Sequence, residues 1–521
     1  MLVAPLSRLL ERSNYDPVLI YDICKGFSEG FSIPFQGDLA NRPVPGNHPS
    51  LLQNISIATE MIHKEKQLGR IAGPFLTPPF QDLVVSPLGL IPKKEAGTFR
   101  LIHDLSFPKG NSINFGIPKE YCSVTYENYD YFVSLLTSVG PGCFIAKADL
   151  ESAFRIIPVN PDDYHLLGFT FAGQYYYDKC LPMGCSISCK VFEQFSCALQ
   201  WILQHIYKVT TMSHILDDFI FLAASESLCQ SYLQSFLSVA DLLALPIKHS
   251  KTVVPSTCAI VHGIEIDTVV MQARLPQDKL DSASALVKTF SRRKKVTLRE
   301  LQSLIGTLSF ASKVVVGGRP FLRRLIDLTI GVVKPHFHIR LNKEARLDLA
   351  AWSLFLDSYN GTSLLINDLW ESSEKLELFT DASGLGFAGI LAGKWFQGYW
   401  PTSWQAFSIA VKELFPIVLA LILWSDVLAD KRLLVLCDNE AIVHVINSQT
   451  CKEQNIMSLV RTMTVTIMRN NVILRAKHVP GKTNIIADAL SRFQDTPEIR
   501  DRYGLVQLQS VIPPDLLPWP L

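Results

Sequence analysis

The chain has 521 residues, 48% of them hydrophobic and 19% charged, with a formal net charge of +1. This composition excludes a disordered tail, a coiled coil and a uniformly basic histone-like binder, so a nucleic-acid partner would need local basic patches. The length predicts roughly three or four domains.

The eleven cysteines are scattered and form no CxxC pair, which points to reduced thiols and an intracellular protein of the cytoplasm or nucleus. Cys180, Cys185 and Cys189 cluster but lack a fourth ligand at zinc-like spacing, so they read as packing residues. The N-terminal apolar stretch is too short and too interrupted for a secretory signal. The longest apolar run, FPIVLALILW from Phe415 to Trp424, is about half a membrane span and reads as a buried helix, with no membrane partner expected.

In chain order, residues 1–74 are rich in Pro and Gly turns and predict an extension wrapped over a neighbouring domain. Over residues 75–270, short β-type runs alternate with helical stretches in an α+β pattern. Residues 271–370 contain TLRELQSLIGTLSFAS, where Thr297 and Glu300 stand at capping-box spacing and Leu298, Leu301, Ile305 and Leu308 recur at helical intervals. Basic residues flank this helix at 292–295 and at Arg319, Arg323 and Arg324, where they could track a phosphate backbone. Strand and helix alternation restarts over residues 371–495, and 496–521 read as a tail.

The run SHILDDFIFLAAS, Ser213 to Ser225, sets Asp217 and Asp218 inside an otherwise apolar strand-forming segment with no Lys or Arg of its own. Unpaired buried charge is costly, so something positive must meet the pair. The run can fold as a hairpin with the aspartates at its tip. A second strand, CFIAKADLESAF, ends at Asp149. If the tip lies beside Asp149, the converging carboxylates call for divalent cations. One Asp-Asp pair alone is more often a turn or a cap, so order, spacing and company carry the inference.

That company is a resemblance to reverse transcriptases running from about Ser86 to Asp267. SPLGLIPKKEAGTFRLIHDLS resembles the fingers segment, KADLESAF the first catalytic motif, LPMGCSISCKVFEQF the template-and-nucleotide motif, and ILDD the YxDD box with Ile215 in place of Tyr. The resemblance implies that Asp149 and Asp217 are metal ligands assisted by the Leu150 carbonyl, with Asp218 completing the acidic cluster. Lys93 and Arg100 would hold the incoming triphosphate. Phe154 would sense the ribose and favour deoxynucleotides, with a core Phe as its alternative reading. Met183 and Gly184 lie in the LPxG turn, where Gly184 would let backbone approach the nucleotide and Met183 replaces the Gln frequent in retroviral enzymes. Lys251, in HSKT, matches a lysine suggested as a general acid toward pyrophosphate. HGIEID, at 262–267, resembles the primer-grip hairpin.

A second acidic set comprises Asp381 in LELFTDAS, Glu413 in KELFPIVLAL, Asp438 in LLVLCDNE, and His478 and Asp488 in KHVPGKTNIIADALSR. This order resembles ribonuclease H and implies two metals that activate water against an RNA phosphodiester, with His478 aiding product departure and Asn484 contacting the hybrid. Pro416 implies that Glu413 lies in a first helical turn or that the helix kinks.

The resemblance as a whole implies a multidomain α+β chain: a right-hand polymerase of fingers, palm and thumb, then a connection and an α/β ribonuclease H-like domain. Two Mg²⁺ per site, with Mn²⁺ as substitute, would serve both centres. The partners implied are an RNA template, a DNA primer, the RNA–DNA hybrid and dNTPs. Residues 73–114 and 297–325 are most similar to DIRS-type, tyrosine-recombinase retrotransposons, and the ADALSR ending is shared with Gypsy-type elements. An element-encoded Gag-like protein and a recombinase encoded elsewhere are further expected partners. The rival readings are a non-catalytic nucleic-acid scaffold, in which costly unpaired acids should decay first, and a DNA-templated polymerase, disfavoured by the second acidic set.

Overall fold

The computed structural model describes the chain except for residues 39–41, 43, 94–96, 316, 359, 361, 364–370, 373, 430, 471, 480–483, 503, 506–508 and 517–521. Part of the expected fingers loop, part of the connection and the Pro480–Thr483 stretch before Asn484 therefore lie outside the described residues. Two compact units result, Met1–Val261 and His262–Leu521.

The first unit is built on a four-stranded sheet in the order Met212–Ile215, Asp218–Ala223, Phe144–Asp149, Val253–Ser256. The apolar run of the central strands forms these elements because both of their faces are covered. Helices Ser188–His205 and Glu226–Leu242 bury Phe192, Phe195, Leu199, Leu233 and Phe236 in one core with Phe219 and Phe221. Ser225 caps the second helix by accepting from the Leu228 N–H at 3.3 Å, meeting one donor that a helix start leaves unpaired.

The N-terminal segment is more than a turn-rich wrap. Helix Val3–Arg12 sends Leu6, Leu9 and Leu10 into that same core, and the Trp201 indole N–H reaches the Ser13 carbonyl at 3.0 Å. A separate antiparallel hairpin, Leu88–Pro92 with Phe99–His103, carries the basic residues expected of the fingers.

In the second unit, Thr297 accepts from the Glu300 N–H while the Glu300 carboxylate accepts from the Thr297 N–H at 2.7 Å, the capping box expected at the head of helix Leu298–Ala311. The same unit holds an antiparallel sheet of Leu378–Ala382, Gly386–Leu391 and Lys394–Tyr399. Beside Glu371–Ser372, strands Arg432–Cys437 and Ile473–His478 pair in parallel. Helix Ile409–Leu423 is buried on most of its surface, as its apolar sequence predicts, and shares a core with helix Gln454–Arg469. Among the described residues, no helix is long and apolar enough to cross a membrane.

Candidate active sites

Strands Met212–Ile215 and Asp218–Ala223 form a hairpin in which Ile215 faces Asp218, leaving Leu216 and Asp217 as the turn. On its other side Asp218 faces Asp149. The Leu150 N–H donates to the Asp217 carbonyl at 3.1 Å, so Leu150 and the acids at 149, 217 and 218 occupy one end of the sheet. Asp149 is only 7% exposed.

The positive charge that this cluster demands comes from neighbouring segments. Lys251 Nζ lies 2.6 Å from Asp149 Oδ2, and Lys147 Nζ lies 3.1 Å from Asp218 Oδ2. Lys147 was legible in the sequence: it stands two residues before Asp149, and strand alternation sends both to one face. Asp217 has no such close partner among these pairs. Burial, then repulsion from Asp149, push its carboxyl above the usual range, with Lys251 opposing.

Of the nucleotide-binding candidates, Lys93, Arg100, Phe154 and Met183 line a pocket of about 140 Å³ together with Arg155, whereas Gly184 and Lys251 are not among its lining residues. Lys93 and Arg100 are exposed on the fingers hairpin. Phe154 is half-buried, edge-on to Phe192 with ring centroids 5.9 Å apart, so it lines the pocket and packs on the core at once. Its neighbour Arg155 is fixed by Asp178 at 2.7 Å and by Glu65 at 2.8 Å. His103 hydrogen-bonds the same Asp178 at 2.9 Å. Burial alone would raise the Asp178 carboxyl, but Arg155 and His103 hold it below the usual range. Nothing in the motifs signalled this buried network, because its members lie far apart in the chain.

Gly184 has φ +127°, and a Cβ there would stand 1.9 Å from the His103 carbonyl oxygen. The close approach is therefore to the fingers strand, where His103 N–H also donates to the Met183 carbonyl at 2.9 Å. Asn114 ties down the same loop, donating to the Gly184 carbonyl at 2.7 Å and accepting from Ser186 N–H at 2.9 Å.

The second acidic set also converges. Asp381, Glu413, Asp438 and Asn484 line one pocket of about 270 Å³, and the acidic groups of Glu413 and Asp438 lie within 4.8 Å of each other and of the Cys437 thiol. Parallel pairing sets His478 beside Cys437, and the ring Nε2 donates to the Asp438 carbonyl at 3.1 Å. Asp488, on helix Ile485–Ser491, pairs with Arg492 at 2.7 Å. That helix is pinned to the Asp381 strand by Ser491 Oγ donating to Asp381 Oδ2 at 2.6 Å and by Asn484 donating to the Thr380 carbonyl at 2.8 Å.

Helix Ile409–Leu423 runs without a break through Pro416, and Glu413 is its fifth residue, beyond the first turn. Of the two outcomes expected from Pro416, a first-turn position for Glu413 does not apply; the helix continues through the proline, which has no N–H to give the Lys412 carbonyl four residues back.

Burial, then repulsion from Asp438 and Asp381, push the Glu413 carboxyl up to about 7, opposed by Asn439. Glu413 Oε2 is buried with no hydrogen-bond partner among the described residues. Hard carboxylate oxygens gathered against their own repulsion, one of them orphaned, are the donor set a divalent cation takes.

Residues 91–274 match the family model "Reverse transcriptase (RNA-dependent DNA polymerase)". Among curated proteins, the Transposon Tf2-7 polyprotein of Schizosaccharomyces pombe is 22% identical over 428 residues, 79% of this chain, and the Tf2-3 polyprotein is 21% identical over 431 residues. Either match spans only 29% of the relative's length. Among solved structures, a foamy viral protease-reverse transcriptase with double-stranded DNA aligns at TM-score 0.52 and 16% identity, over 91% of this chain and 81% of that one. A second, with an RNA/DNA hybrid, aligns at 0.52 over 91% and 62%. The chain thus has the fold of a reverse transcriptase, a polymerase domain followed by a C-terminal domain, and residues 91–274 are the part that the reverse transcriptase family model describes.

Proposed function

We propose that the chain is an RNA-directed DNA polymerase with a second, ribonuclease H-type centre. It would copy retroelement RNA into DNA and degrade the RNA strand of the resulting hybrid. One observation carries the polymerase reading: pairing of Phe144–Asp149 with the hairpin sets Asp149 against Asp218 and Leu150 against Asp217. The matched family model and the polyprotein relatives support it.

Asp149 and Asp217, with Asp218 and the Leu150 carbonyl beside them, would hold Mg²⁺ in the first centre, and Asp381, Glu413, Asp438 and Asp488 in the second. When bound, such ions lower the pKa of an attacking hydroxyl or water and neutralise charge on the leaving oxygen. The chain's own residues supply the rest. Lys93 and Arg100 present a point charge and a planar fork toward a triphosphate. Phe154 closes the pocket where a 2′-hydroxyl would clash. Lys251, which lies 2.6 Å from Asp149, would give a proton to departing pyrophosphate. His478, anchored at the Asp438 carbonyl, would protonate the leaving 3′-oxygen of the cut RNA.

The substrates proposed are an RNA template, a DNA primer and dNTPs. A DIRS-type lineage, with a Gag-like protein and a recombinase as partners and an intracellular site of action, extends this reading on the sequence similarities alone. The test is extension of a DNA primer on an RNA template with Mg²⁺. The native chain should incorporate dNTPs and Asp217→Asn should lose at least about 100-fold, the loss of several kcal/mol of charge stabilisation. Equal incorporation by both would refute the assigned centre.

A further inference from the structure

We propose that Glu193, supported by Ser196 and His214, is a positioning residue that fixes the turn carrying Asp217. The inference rests on the polymerase reading above and names a part of that centre which the acidic motifs do not contain.

Leu216 immediately precedes Asp217 and takes φ +53°, a conformation that suits Gly or Asn and costs a γ-branched residue roughly 1–3 kcal/mol unless the surroundings impose it. Helix Ser188–His205 imposes it from both sides of one residue. Glu193 Oε2 accepts the Leu216 N–H at 3.0 Å, and Ser196 Oγ donates to the Leu216 carbonyl at 2.8 Å. Glu193 and Ser196 are three residues apart and so share a helix face.

The carboxylate itself is held. Its Oε1 lies 3.4 Å from His214 Nε2, in the hairpin's first strand, and His214 Nδ1 hydrogen-bonds Gln200. Gln200 in turn donates to Glu127 Oε1 at 3.0 Å, and Glu127 Oε2 accepts the His214 N–H at 2.9 Å. Glu193 is 6% exposed, His214 2% and Ser196 0%. A buried acid is retained at such a cost when its geometry matters. Here the geometry it sets is the direction of the next side chain, Asp217. A shift of about 1 Å in a metal-binding carboxylate costs about 100-fold in rate.

The experiment is primer extension on an RNA template by the full chain, with kcat, dNTP KM and half-saturating Mg²⁺ measured for Glu193→Ala, Glu193→Gln and Ser196→Ala. Template–primer affinity and thermal midpoint serve as controls of fold. The expected result is a kcat about 100-fold lower for Glu193→Ala, a higher Mg²⁺ requirement and unchanged template–primer affinity. Glu193→Gln, which still accepts from Leu216, should recover most of the rate. Ser196→Ala, with little packing to lose, should move kcat and Mg²⁺ requirement the same way by a smaller factor.

Native kcat and Mg²⁺ dependence in Glu193→Ala would overturn the proposal. So would equal losses in the Ala and Gln variants accompanied by lost affinity and a lowered midpoint, which mark a merely structural role. If Glu193→Ala fails to fold, an unaffected Ser196→Ala overturns it. Inactivity of the native chain would instead refute the polymerase reading, and the positioning role with it.

Discussion

At Gly184 one missing side chain decides whether two segments can meet. A Cβ would enter the His103 carbonyl, which is backbone and cannot swing aside. The φ of +127° adds roughly 1–3 kcal/mol of strain for any other residue. Gly184→Ala should therefore separate the loop from the fingers strand, breaking the His103-to-Met183 and Asn114-to-Gly184 bonds. Primer extension should fall by about tenfold or more, with the larger share in dNTP KM, and steady-state extension across dNTP concentrations would check it. An unchanged KM would show that the pocket does not depend on this contact. The motif predicts that this glycine admits a nucleotide, whereas the close approach the structure shows is to the His103 backbone. Local pattern reports backbone freedom, whereas the partner strand lies some eighty residues away. The same limit hid Glu193, which reads as one more polar helix residue until its contact with Leu216 is seen.

Elements whose signals are local were legible. The capping box at Thr297 needs only residues three apart, and the hairpin needs only an apolar run interrupted by polar residues; both form, the hairpin with Leu216 and Asp217 as its turn and Asp218 already paired in the strand. Contacts between elements were not. Helix Lys343–Ser358 buries Asp348 to 1% exposure, with Arg324 at 3.4 Å and Arg461 at 3.6 Å. Burial pushes its carboxyl up to about 6, with the two guanidiniums opposing. An unfolded Asp titrates near 3.9, so the folded state holds the proton more tightly. That stabilisation is full below about pH 3.9 and is lost as pH rises through about 6, roughly 3 kcal/mol in all. Amide exchange in helices Lys343–Ser358 and Gln454–Arg469 should accordingly speed up between pH 4 and 6, after correction for intrinsic exchange. Asp348→Asn should remove that dependence. A variant with the native pH profile would show that Asp348 stays ionised between its arginines.

Across the whole molecule, each acidic set closes within one compact unit. Asp149, Asp217 and Asp218 belong to Met1–Val261, and Asp381, Glu413, Asp438 and Asp488 to His262–Leu521. The boundary at 261/262 falls nearer the chain's middle than the sequence divisions at 270 and 370, because burial follows shared cores while sequence divisions follow changes of pattern. Closure within separate units makes the two proposed activities separable. Asp438 contributes to the pocket with Glu413 and Asp381, and replacing it by Asn would remove the charge of a proposed metal ligand at an exposed position, without leaving a buried cavity. Asp438→Asn should cut hybrid cleavage by at least about 100-fold, the equivalent of several kcal/mol at the proposed second centre, while primer extension stays within about twofold of native. Asp217→Asn should do the reverse, and the double variant should lose both activities by the single-variant factors, as effects at independent sites add. Loss of extension in Asp438→Asn would mean that the acids at 381, 413 and 438 serve the polymerase rather than a centre of their own.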